Sequence, residues 1–219
     1  IMPEYVRQMG MSIAPFSDLY NEKLYYQNDN NVDLIKKIAH LLEYTNLILF
    51  LQGAQGVGKT SIIKQRLLNK KENWKVCSLN AKDYINTDTF VAKIAEDLKL
   101  HLSTDFIGSP AASLQEQLNS LNHIGLLPIL IIDDIELLKD SLVPMLMSFV
   151  YANENQSPKL RLIISGEDIP DVLINNLSHN DKEENIKYLP ALPLSQSETA
   201  EYIRFRMKAA GFERKSPFS

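Results

Sequence analysis

The sequence predicts an α/β fold, a parallel sheet of about five strands with helices on both faces. Two patterns carry that expectation. Short, continuous apolar runs alternate with segments of helical periodicity, and a strand that is apolar throughout is one buried on both faces. The first of these runs also passes through a glycine-rich turn straight into a helical pattern, the strand–turn–helix unit from which parallel sheets are built.

The elements follow in chain order. Residues 1–30 contain Pro3, Pro15 and a stretch rich in Tyr and Asn, and read as an irregular arm. From Val32 to Tyr44 the apolar residues Leu34, Ile35, Ile38, Leu41 and Leu42 recur at helical spacing. The run 47–51 is a first strand, and helical spacing resumes after Lys59 through Ile62, Ile63, Arg66, Leu67 and Leu68. A second strand is expected at 74–79, then helices at 88–98 and 113–123, the latter opened by a capping box of Ser113 with Glu116. A third strand at 129–132 ends in Asp133-Asp134. A helix around 142–152 leads to a fourth strand at 160–164, which ends in Ser165-Gly166. Residues 175–185 are polar and read as an exposed loop, and a last strand near 186–189 precedes Pro190 and Pro193. Ser195 with Glu198 forms another capping box, for a helix that runs to Ala210 and stops at Gly211. The organisation expected is an arm over 1–30, a core over 31–192, and over 193–219 the beginning of a truncated helical lid subdomain.

Composition narrows the class. Apolar residues make up 45% and charged residues 23% of the 219 positions, as in ordinary globular proteins. The net charge of −4 and pI near 5.6 disfavour non-specific duplex binding by the whole surface. The single cysteine, Cys77, cannot form an internal disulfide and fits a reducing compartment; its apolar surroundings make it a buried small side chain rather than a reactive thiol. No apolar run approaches the ~20 residues that span a bilayer, and residues 1–10 lack the apolar stretch of a signal peptide. His40, His101, His123 and His179 have no metal-like spacing. The tyrosines at 5, 20, 25 and 26 offer packing of the arm against adenine or the sheet, and core packing is the preferred reading. The chain ends at Lys215-Ser216-Pro217-Phe218-Ser219 directly after a helix, which reads as a fragment cut within its lid.

The turn after the first strand carries the chemistry. Gly53-Ala54-Gln55-Gly56-Val57-Gly58-Lys59-Thr60 has P-loop spacing, with Ser61 following. Glycines at 53, 56 and 58 allow a tight turn in which successive amide N–H groups face one concavity, and the following helix adds its positive end. Lys59 would neutralise the β- and γ-phosphates of a nucleotide, ATP above all, and the Thr60 hydroxyl would sit on Mg²⁺. Asp133 and Asp134 end the third strand as a Walker B element does: Asp133 would hold Mg²⁺ through water and the next carboxylate would orient the attacking water. Two candidates compete for that second role. Asp134 is preferred, one methylene shorter than the usual glutamate, over Glu136, which lies beyond the strand end.

With these positions in place the chain resembles the AAA+ ATPases of the general secretory pathway ExeA/GspA type, including the ATPase modules of DamX-related proteins. Three stretches carry the resemblance: Pro15-Phe16 with the tyrosine-bearing segment and helix that follow, the run from Leu192-Pro193-Leu194-Ser195 through Glu198-Thr199-Ala200-Glu201-Tyr202-Ile203 to Arg206-Met207-Lys208-Ala209-Ala210-Gly211, and Ser216-Pro217-Phe218. It implies that Ser165 contacts the γ-phosphate or lytic water as a sensor. It also implies a cytoplasmic ATPase acting in a cell-envelope process of secretion or of division and peptidoglycan, tethered to the inner membrane through a segment downstream, with self-association or an envelope protein as partner. Three departures predict slow turnover: Asp134 stands where glutamate is usual, there is no arginine between Arg161 and Arg204 to act as a finger, and the lid remainder that would carry the sensor 2 arginine is expected to be missing. Two rivals are a transposition-type DNA-binding ATPase, which the acidic pI disfavours, and a nucleotide-gated scaffold that does not hydrolyse.

Overall fold

The computed structural model describes residues 3–16, 21–26, 28–66, 71–102, 109–150, 160–177 and 185–212. Five strands form one sheet: β1 (Ile48–Gln52), β2 (Trp74–Asn80), β3 (Leu127–Asp133), β4 (Arg161–Gly166) and β5 (Ile186–Pro190). Their order is β2-β3-β4-β1-β5 and every pairing is parallel, as the apolar runs predict. Parallel neighbours need crossovers, and helices alternate with the strands along the chain: α1 (Glu4–Gln8) and α2 (Asp29–Tyr44) precede β1, α3 (Lys59–Arg66), α4 (Thr87–Leu98), α5 (Pro110–His123), α6 (Val143–Val150) and α7 (Asp171–Asn176) lie between β1 and β5, and α8 (Gln196–Ala209) follows β5.

The order matters for function. Strand β1 pairs with β4 and β5 rather than with its successor β2: the chain leaves β1 for the far edge at β2, builds back through β3 to β4 on one side of β1, and adds β5 on the other. Such a reversal opens a crevice beyond the carboxyl ends of the strands, where ligands of open α/β sheets bind. Register gathers the ends there: Leu51 is level with Ser165, Gln52 with Gly166, and Asn80 with Asp133.

Packing divides the chain into two compact units, Ile35–Ala191 and Ile1–Leu34 with Leu192–Ser219. In the first, one sheet face supplies Ile48, Phe50, Leu79, Ile132, Leu162 and Ile164 to a core closed by Phe90, Leu114, Leu146, Phe149 and Leu173. Cys77 belongs to that core at 0% exposure, and burial, then the neighbouring Asp97, pushes its thiol up, so the reading of an inert buried side chain holds. In the second, Val6, Met11, Leu24 and Ala210 share a small core. Ser12 N–H donates to Ala210 O at 2.8 Å, Arg206 Nε donates to Pro15 O, and Tyr26 packs its ring on Tyr202 and Phe205. The Tyr26 hydroxyl donates to Glu201 at 2.8 Å, and that bond, with burial, pushes it up to about 12. The arm and α8, at opposite ends of the sequence, are therefore one packed body.

The Ser195–Glu198 capping box is present as expected, and the Ser195 N–H, then its hydroxyl, holds the Glu198 carboxyl below its usual range. Four expectations are corrected. The Ser113–Glu116 box is not formed: α5 starts a turn earlier, with Ser109 Oγ accepting from Ala112 N–H at 3.3 Å and Pro110 preset for the first turn, while Ser113 is buried inside the helix. Part of the polar stretch 175–185 is helical, because Leu173 anchors α7 in the core despite its weak propensity. The arm is not irregular throughout, since it contains α1 and a 3₁₀ turn at Glu22–Leu24. Tyr5 is not core but 43% exposed. Leu67, Leu68, Ala152, Tyr20, His179 and Ser216-Pro217-Phe218 lie outside the described residues.

Candidate functional site

The loop between β1 and α3 takes the shape its glycines allow. Gly56 and Gly58 have φ of +86° and +88°, a region that costs an L-residue roughly 1–2 kcal/mol. Gly53 answers a different constraint, close approach. A Cβ there would lie 2.9 Å from both Ala191 O and Val57 Cγ2, and Ala191 is itself fixed by donating its N–H to Gln52 O at 2.7 Å. Gly53→Ala is therefore expected to lower stability by about 1–3 kcal/mol, as overpacking does. It should also weaken nucleotide binding, both read in one thermal-shift titration; an unchanged melting temperature and affinity would count against this account.

Lys59 is 7% exposed, and its Nζ donates to Gly53 O at 2.6 Å and to Ala54 O at 3.0 Å. The ammonium is thus folded into the concavity of its own loop. Thr60, in the first turn of α3, donates its hydroxyl to one oxygen of Asp133 at the end of β3, while Ser165 on β4 donates to the other. Asp133 is 8% and Ser165 0% exposed. One carboxylate therefore joins the P-loop helix to two strands. The Thr60 hydroxyl and the Asp133 carboxylate are hard oxygen donors of the kind that would suit Mg²⁺. Among the described residues no group of three or more His, Cys, Asp or Glu gathers as a closed metal cage.

The second carboxylate lies elsewhere. Asp134 has φ of +54°, and its carboxylate accepts from Asn80 Nδ2 at 2.7 Å, at the end of β2. Because β2 lies on the far side of β3 from β4 and β1, Asp134 is turned away from the P-loop. Glu136 is exposed, with its carboxylate over Gly166, where a side chain would strike it. Arg161 heads β4 at the end of the sheet opposite the P-loop and donates Nε to Leu42 O at 3.1 Å; burial pulls its guanidinium down. Arg204 is exposed on α8.

Three residues that sequence reasoning does not single out belong to this site. Asn80 holds Asp134. Glu167 accepts the Gln55 N–H through Oε1 at 3.0 Å, and Gln52 Nε2 donates to Glu167 O at 3.2 Å. Strand-end position alone could have flagged Asn80, but not its neighbour, which depends on the order of the strands.

A parallel sheet of this order with a P-loop after β1 defines a P-loop nucleotide-binding fold of the AAA+ type. The chain belongs to the AAA domain family, whose model matches residues 41–170, more than half of its length. Over 215 residues it is 22% identical to General secretion pathway protein A of Aeromonas hydrophila, covering 94% of this chain and 38% of that relative, so it spans well under half of that protein. The likeness to the ExeA/GspA type read from the sequence is borne out. Among solved structures it resembles Cdc6p from Pyrobaculum aerophilum (TM-score 0.65, 18% identity, 89% of this chain and 53% of that one). It also resembles the Aeropyrum pernix ORC2 protein in its ADPNP–ADP complexes (TM-score 0.61, 16% identity, 89% and 55%). A third is the Aeropyrum pernix ORC1 protein in complex with DNA (TM-score 0.58, 16% identity, 89% and 52%). At these identities the likeness is one of fold. No helix among the described residues is long and apolar enough to cross a membrane.

Proposed function

We propose that this chain is the ATP-binding and ATP-hydrolysing module of a bacterial cell-envelope protein, serving secretion or division and peptidoglycan processes from the cytoplasmic side. The observation that carries the reading is the meeting of Thr60, Asp133 and Ser165 at the start of α3 and the ends of β3 and β4, beside a P-loop that holds the Lys59 ammonium on its own carbonyls. The amides of residues 53–61 cradle the phosphates, and Lys59 exchanges its two carbonyl partners for phosphate oxygens. Thr60 and Asp133 would hold Mg²⁺, which would supply charge neutralisation at the phosphates. Ser165 orients the terminal phosphate or the attacking water. The envelope setting, with self-association or an envelope protein as partner, rests on the relation to the secretion pathway protein.

Asp134 is proposed as the carboxylate that orients water, and it must leave the Asn80 amide to do so. That requirement, with its short side chain, makes turnover slow. Phosphate release is the test: Lys59→Ala and Asp134→Asn are expected to reduce it strongly, and unchanged release in both variants would sink the proposal. Tight ATP binding with no release in the parent chain would select the scaffold reading instead. A DNA-binding role draws no support from fold likeness alone, and the acidic charge opposes it.

A further inference from the structure

The segment leaving β4 is stitched to the P-loop by three hydrogen bonds. Gly53 N–H donates to Gly166 O at 3.1 Å, Gln52 Nε2 to Glu167 O at 3.2 Å, and Gln55 N–H to Glu167 Oε1 at 3.0 Å. The first two join neutral groups, and the first of them, backbone to backbone, extends the β1–β4 pairing. The third is chemically different, because it places a carboxylate on an amide of a loop shaped to receive phosphate. Glu167 is exposed, so water could have served that amide equally well.

The position of Lys59 tells which end of the loop is affected. A P-loop lysine reaches the β- and γ-phosphates. Its Nζ lies on the carbonyls of Gly53 and Ala54, the two residues that precede Gln55. The opposite end of the loop runs into the first turn of α3, where the loop amides and the helix terminus would cradle the α- and β-phosphates. Gln55 is therefore at the terminal-phosphate end, and Glu167 sets a negative charge beside it. ADP brings no charge to that place, whereas ATP brings its most charged group.

We propose that Glu167 is a discriminating residue that competes with the terminal phosphate for the Gln55 amide and lowers affinity for ATP relative to ADP. This rests on the nucleotide-binding reading above. It also gives the site a preference that the P-loop residues alone do not produce, since their contacts favour the nucleotide with more phosphates.

Equilibrium titration with a non-hydrolysable ATP analogue and with ADP, each with Mg²⁺, tests it on the parent chain, Glu167→Gln and Glu167→Ala. Glutamine keeps an acceptor for Gln55 and removes the charge, so it also serves if the alanine variant does not fold. Both variants are expected to bind the ATP analogue at least about threefold tighter, the effect of removing one charge about 6 Å from another in water, with ADP affinity unchanged. Equal shifts for the two nucleotides, no shift, or weaker binding of the ATP analogue would overturn the proposal. If the parent binds both and Lys59→Ala does not, yet the Glu167 variants keep the parental preference, only this inference fails. If the parent binds neither, the nucleotide-binding reading fails with it.

Discussion

Replacing Lys59 by alanine is expected to lower ATP affinity by about a hundredfold, since charge-assisted hydrogen bonds contribute about 1.5–3 kcal/mol and each 1.4 kcal/mol or so is tenfold. The structure explains why the loss should fall on binding and not on folding. The ammonium is bonded only to Gly53 O and Ala54 O among the described residues, and both carbonyls belong to a loop in which Ala54, Gln55 and Gly56 are exposed. Water can take over at those acceptors once the side chain is gone. The β1 and α3 residues on either side are fixed by other means, with Leu49, Leu51, Ile62 and Ile63 all at or below 2% exposure. A titration of ATP against both proteins, with melting temperature alongside, checks this. Equal affinities with equal melting temperatures would remove Lys59 from the phosphate site. A large drop in melting temperature would instead make the lysine a structural element of the loop.

How much of this was legible in the sequence depended on the range of the interaction. The P-loop is local: spacing, glycines and the flanking strand and helix all lie within twenty residues, and the chain forms β1 and α3 around them as expected. Asp133 was legible for the same reason, as the polar residue that ends an apolar strand. Strand order was not. Nothing in residues 74–80 says that β2 lies beside β3 and away from β1, so the Asn80–Asp134 contact was out of reach, and with it the turning of Asp134 toward the sheet edge. Glu167 was hidden in the same way, because its partner Gln55 is 112 positions away. The α5 start turns on local competition: Ser109-Pro110 and Ser113 each offer a start signal, and the earlier one wins because Ser109 caps the Ala112 N–H and Pro110 is preset for the first turn. The arm and α8 could be recognised separately, yet their shared core of Val6, Met11, Leu24 and Ala210 needed the folded chain.

The second large effect concerns Asp133, the carboxylate on which three elements converge. Asp133→Asn keeps the size of the side chain and one carbonyl acceptor but removes the charge. Thr60 and Ser165 both donate to this group, and Ser165 is fully buried, so the amide must present its NH₂ to one of two hydroxyl oxygens. Hydroxyls can rotate to accept, which keeps the network satisfied. Asp133→Ala offers no such exchange and leaves the Ser165 hydroxyl buried without its partner, at about 1–3 kcal/mol of stability. The asparagine variant thus separates chemistry from folding. Its melting temperature should stay near that of the parent. Nucleotide should still bind without Mg²⁺, because the P-loop amides and Lys59 are untouched. Mg²⁺ should no longer strengthen that binding, and Mg²⁺-dependent phosphate release should fall by about a hundredfold or more, on the scale of losing several kcal/mol of charge stabilisation in the transition state. Titrations with and without Mg²⁺, beside a phosphate-release assay, read each expectation separately. If Mg²⁺ strengthened binding equally in both proteins, Asp133 would be a structural tie between α3, β3 and β4 and not a group that holds the ion.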